Sequence, residues 1–126
     1  MSRPDEALEY MLDTFHDPDI VSDYRLLAEM APSVFKESMD LRQVLFGAEG
    51  ETALTPRVRE LVVLGIEIAL KKSNPPPIGH TRAALAAGAT PEEIGEVVGL
   101  CVMIAGMLSY RESGRLVLQE VAARSA

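Results

Sequence analysis

At 126 residues, with 48% hydrophobic residues and few aromatics, the chain is long enough for one domain with a real core and too apolar to stay disordered. A net charge of −7 argues against the extended basic surface that nucleic acid requires, and the longest uncharged apolar run, residues 97–108, is too short to span a bilayer. The acidic N-terminus lacks the basic, apolar, small-residue order of a secretory leader, so a cytoplasmic protein with neither nucleic acid nor membrane as partner is expected.

Apolar residues recur at three and four positions along the chain and no segment alternates for long, so helices are expected throughout. Residues 4–15 read as a short amphipathic helix with Leu8, Met11, Leu12 and Phe15 on one side. Asp17-Pro18-Asp19 breaks it. A second helix is expected over 20–30, with Ile20, Tyr24, Leu27 and Met30 inward. A third starts at Ala31-Pro32, where proline suits a first turn, and runs to about 46. Residues 47–52 read as a loop.

Thr55-Pro56 is a helix start, with threonine as cap and proline as first helical residue. The helix is expected to reach about Lys72, whose charge, with that of Lys71, suits the negative end of the helix dipole. Between Leu61 and Leu70 the one charge is Glu67, so this helix is apolar nearly all round and belongs in the middle of the fold. Asn74 is read as the cap of the next helix, which carries His80 and ends at Gly88. Thr90-Pro91-Glu92-Glu93 then has capping-box spacing, and the helix it opens is expected to reach about 108, with Gly95, Gly99 and Gly106 as small faces for close approach. A last helix is expected over 109–123. Two helices apolar over most of their circumference expose more surface than one small protomer covers, which predicts a homo-oligomer.

Charge is uneven. Residues 1–53 carry twelve acids against four bases, whereas 54–82 carry two against five, a basic island compatible with a small anionic ligand or with a solvated face. Glu67 interrupts an apolar run, and a buried carboxylate must find a partner or a proton, which suits either a proton-transfer site or a structural pairing with an arginine. Glu60 is seven residues before Glu67, hence on roughly the same face, although Arg57 is an alternative partner on its own helix. Met30, Met39, Met103 and Met107 read as adaptable core or pocket lining. Cys101, the one cysteine, excludes an intramolecular disulfide and lies in an apolar run where a thiol packs as a small hydrophobe. With His16 the one other histidine, no grouping has metal-ligand spacing and no metal is expected.

The run Arg59-Glu60-Leu61, an apolar helix, a turn, and then His80-Thr81-Arg82-Ala83-Ala84-Leu85 with its Ala87-Gly88-Ala89-Thr90 exit resembles the core of the carboxymuconolactone decarboxylase / alkylhydroperoxidase-D-like family over roughly residues 54–108. The resemblance implies an all-α, alkylhydroperoxidase-D-like bundle of about six to seven helices, assembled as trimers or hexamers. Its peroxidase branch places two cysteines just before the histidine. Here that place holds Lys72, Ser73, Asn74 and three prolines, which offer neither a thiolate nor backbone N–H groups to hold an anion. The decarboxylase branch works without cysteines, metal or organic cofactor on a small carboxylated lactone from aromatic breakdown. Such a reaction needs a cation for the carboxylate and an acid for the carbon left behind. His80 fits as general acid or its orienting group, and Glu60 or Glu67 as the proton-exchanging carboxylate. Arg82 or Arg111 fits as the anion holder, with Tyr110 beside Arg111 at a helix junction where pockets form. Arg82 is two residues from His80 and so points to a different side of the helix. The alternative is a non-catalytic, ligand-binding relative that keeps the fold without the chemistry.

Overall fold

The computed structural model describes residues 9, 18–47 and 52–125, and every regular element among them is helical. Its contacts gather into two compact units, residues 1–53 and 54–126. The helix expected over 4–15 lies, apart from residue 9, outside the described residues.

In the first unit α1 (Pro18–Met30) packs on α2 (Pro32–Leu45). Pro32 occupies the first turn of α2, where its missing N–H costs nothing, and Phe35 and Met39 are buried from one face of that helix. Tyr24 meets Phe35 with ring centroids 6.3 Å apart, and the Arg42 guanidinium lies 4.2 Å over the Phe46 ring. Met30 is exposed rather than inward.

The second unit is built around α3 (Pro56–Ala69), which packs against α4 (Ile78–Ala86) and α5 (Pro91–Ala105). A short helical turn, α6 (Met107–Ser109), leads into a π-helical turn at Tyr110–Gly114 and then α7 (Arg115–Ser125), which packs on α4. Thr55 caps α3 by accepting from the Val58 amide at 3.3 Å. The capping box of α5 is complete, with Glu93 N–H donating to Thr90 Oγ1 and Thr90 N–H donating to Glu93 Oε1. The core gathers Leu64 and Ile68 of α3, Ala84 of α4, Ile94, Val98 and Cys101 of α5, and Val117 and Val121 of α7. α3 is therefore the middle of this unit, as its pattern predicts.

Several local expectations need correction. Helix α3 stops at Ala69, because Lys71 takes a left-handed conformation (φ 60°) and turns the chain. Asn74 does not cap α4. Its peptide to Pro75 is cis, Pro77 stands at the helix start, and no side chain caps it. Helix α5 ends at Ala105, since Gly106 at φ 95° breaks the ladder before Met107. Gly95 and Gly99 face open space. The close approaches are at Gly65, where a Cβ would meet Val97 at 3.3 Å, and at Gly114, where it would meet Val98 at 2.9 Å. Met39 is buried, but Met103 and Met107 are exposed. Among the described residues no helix is long and apolar enough to cross a membrane.

Candidate active site

Helix α3 advances about 100° per residue, so Glu60 and Glu67 project within about 20° of one another. Both face α4, where His80 lies in the first turn. His80 Nδ1 is 2.7 Å from Glu60 Oε2, and His80 Nε2 is 3.5 Å from Glu67 Oε1. Each ring nitrogen thus faces a carboxylate. With Glu60 ionised, Nδ1–H is the donor and the ring is held with Nε2 toward Glu67. The three side chains keep only 16% (His80), 10% (Glu60) and 13% (Glu67) of their surface exposed, so the cluster is nearly dry and its interactions are little screened by water.

Glu60 takes His80 rather than Arg57, whose guanidinium instead pairs with Glu93 of α5. Glu67 is held on its other side: Lys72 Nζ donates to Oε2 at 2.5 Å. Its Oε1 is buried and makes no hydrogen bond among the described residues, with His80 Nε2 3.5 Å away. A carboxylate oxygen left this way is costly unless a proton or ligand comes to it. Sequence reasoning missed Lys72 because a spacing of five places it off the Glu67 face of a continuing helix. The left-handed turn at Lys71 is what brings it back.

The other sequence-predicted residues lie elsewhere. Arg82 Nε donates to Glu120 Oε1 at 2.8 Å, and Arg124 donates to the same oxygen. These two hydrogen bonds hold the Glu120 carboxyl below the usual carboxylate range. Arg111 is exposed. Tyr110 packs its ring against the core beside Gly114, opening the π-helical turn. Cys101 is buried on α5 and its thiol donates to the Gly65 carbonyl at 3.3 Å. Burial pushes that thiol up, away from the thiolate. Gly65 is turned about 140° from Glu60 around α3, so the cysteine and the histidine meet nearly opposite faces of that helix. Among the described residues no group of three or more histidine, cysteine or acidic side chains is placed to hold a metal ion.

On that opposite side, α3 and α5 frame an open groove of about 450 Å³ lined by apolar side chains, among them Val62, Ile66, Val97, Leu100 and Ile104. None of the cluster around His80 lines it.

Comparison with known proteins agrees with this architecture. The model of the carboxymuconolactone decarboxylase family matches residues 32–120. A crystal structure from Burkholderia xenovorans LB400, described as a candidate carboxymuconolactone decarboxylase, superposes with a TM-score of 0.78, covering 97% of this chain and 93% of its own at 23% identity. At that identity the likeness establishes the fold alone. No curated protein matches the sequence.

Proposed function

The chain belongs to the carboxymuconolactone decarboxylase family, and from that membership we propose that it is a cofactor-free lyase that removes carbon dioxide from a small carboxylated lactone or a related anionic carbonyl compound of aromatic catabolism. The observation that carries this reading is a nearly dry histidine set between two carboxylates, with Glu60 on Nδ1 and Glu67 facing Nε2.

In the reaction the bond from the ring carbon to the carboxylate breaks and carbon dioxide leaves. The electron pair passes into the conjugated lactone carbonyl, and a proton is delivered to carbon as the double bond shifts. That delocalisation is what a cofactor would otherwise supply. Glu60 positions His80 by accepting from Nδ1–H, His80 delivers the proton from Nε2, and Glu67 is the partner that exchanges it. The low exposure of the cluster favours the spreading of charge from a localised carboxylate into the conjugated system as carbon dioxide departs.

We also propose that the protein acts as a homo-oligomer, a trimer or hexamer, with a second copy covering the apolar groove of α3 and α5. Exposed Ile66, Leu100, Met103 and Ile104 support this, since a patch of that kind is rare on a monomer. A ligand-binding relative without turnover is the second reading. It is favoured by the pairing of Arg82 Nε with Glu120, which ties that arginine to a carboxylate outside the His80 cluster.

The test is carbon dioxide release from a carboxymuconolactone and related unsaturated lactone acids by wild type and His80→Ala. We expect turnover by the wild type and a loss of about 100-fold to 10,000-fold in the variant at unchanged oligomeric state. No turnover by wild type on any of these acids would displace the lyase reading in favour of the binding one.

A further inference from the structure

We propose that Lys72 is the anion-binding residue of this site, with its ammonium both holding Glu67 against His80 and taking the carboxylate of the incoming ligand. This deepens the lyase reading and rests on it only for the identity of the cluster.

The backbone carries the first part of the argument. After Leu70, the Lys71 amide donates to the Ile68 carbonyl at 2.9 Å and the Lys72 amide to the Glu67 carbonyl at 3.1 Å. These are the two bonds of a Schellman turn, whose left-handed position is usually glycine. Here a lysine occupies it at φ 60°. The effect is to fold Lys72 back onto the residue whose carbonyl its own amide meets. Its Nζ lands 2.5 Å from Glu67 Oε2.

Exposure carries the second part. The Lys72 side chain is 45% exposed, whereas Glu67 beneath it is 13% exposed. Of the residues in the cluster, Lys72 is the one an arriving solute meets first. An ammonium has three N–H donors, and the bond to Glu67 uses one. Donors are therefore left on the same nitrogen for a second carboxylate without displacing Glu67, whose other oxygen lies 3.5 Å from His80 Nε2. Of the other cations of this unit, Arg57 pairs with Glu93 and Arg82 with Glu120, both outside the His80 cluster. The ligand class is a small carboxylate with an apolar or carbonyl-bearing body.

The test uses the intact protein and a ligand that cannot lose carbon dioxide. γ-Butyrolactone-γ-carboxylate and its uncharged methyl ester are titrated into wild type, Lys72→Met and Lys72→Arg, read by calorimetry and by the ring signals of His80. Removal of one charge-assisted contact predicts that Lys72→Met binds the acid about 10-fold more weakly or worse, with the ester changed by less than about 2-fold. Lys72→Arg should recover acid binding in part, because the charge is kept while the geometry changes. Lys72→Met removes the partner of the nearly dry Glu67 and should lower the unfolding midpoint, whereas Lys72→Arg should keep most of it, so binding is compared at a temperature where all three proteins are folded. Equal affinity of wild type and Lys72→Met for the acid overturns the proposal, as does failure of wild type to bind the acid, whether or not it binds the ester. Neither result touches the lyase reading, which depends on turnover of unsaturated acids. Conversely, Lys72-dependent binding without any turnover removes the lyase reading and leaves the anion site standing.

Discussion

The two faces of α3 depart from the usual partition in opposite ways: one keeps charge away from water, the other keeps apolar groups in it. Glu60 and Glu67 are almost dry, yet His80 and Lys72 of the same unit partner them. Val62 and Ile66, turned about 100–160° away, are 47% and 55% exposed beside an open groove. A buried charge demands its partner in the same folding event, because leaving it alone costs several kcal/mol. An exposed isoleucine costs far less and can wait for another chain. The charged cluster is thus paired within one unit, whereas the apolar face is left open.

The widest gap between buried and waiting apolar positions should appear in stability. Leu64, fully buried between the two faces, should lose about 2–5 kcal/mol on replacement by alanine in urea unfolding. Ile66→Ala, two residues on, should change the dilute single chain by no more than about 0.5 kcal/mol. A comparable loss at both positions would mean that the groove is already covered within the chain. The assembled protein sharpens the contrast. Ile66→Glu combined with Ile104→Glu should reduce the light-scattering mass to that of one chain with helicity unchanged, and a wild type already of that mass at micromolar concentration would end the oligomer proposal.

How much of this was readable beforehand follows the same divide. Periodicity located α3 and its central place, Thr55 and Thr90 marked their caps, and the isolated charge at Glu67 pointed to a buried carboxylate. Spacing alone put Glu60 and Glu67 on one face. The family resemblance added His80, which a lone histidine in a first turn would not have earned by pattern. What failed were features decided by single backbone torsions. The stop at Lys71, the entry to α4 through Pro77 and the break at Gly106 do not alter hydrophobic period. Lys72 was invisible for that reason, since its place beside Glu67 depends on one left-handed residue. Arg82 and Arg111 look equally suitable as cations in sequence, and only the position of Glu120 shows where Arg82 is spent.

Both faces end at that left-handed residue, with Leu70 exposed on one side and Lys72 folded over Glu67 on the other. Lys71 pays a conformational cost there that glycine avoids. Lys71→Gly should therefore raise the unfolding free energy by roughly 0.5–1 kcal/mol, less than the full strain because glycine also gains freedom in the unfolded chain. Carboxylate binding at Lys72 should be unchanged. A destabilised Lys71→Gly would show that the lysine side chain contributes more than its backbone costs, and would weaken the view that the turn exists to place Lys72.

The smallest effect belongs where the starts of α3 and α5 are tied by Arg57 and Glu93. The Thr90 amide donates to Glu93, and this bond, followed by the charge and hydrogen bond of Arg57, holds its carboxyl below the ordinary value of 4.5. A carboxyl depressed in the folded state favours folding above its unfolded value, and that contribution disappears as pH falls through the lower folded value. Glu93→Gln keeps a side-chain acceptor for the Thr90 amide but removes the charge. Wild type should exceed this variant in urea midpoint at pH 7, and the two midpoints should converge as the pH is taken below 4.5. The difference should be modest, because the pair is partly solvated and added salt screens it. Glu93 should therefore respond to salt as well as to pH. A difference between wild type and Glu93→Gln that persists unchanged below pH 4 would place its origin in the shape of the cap instead of its charge.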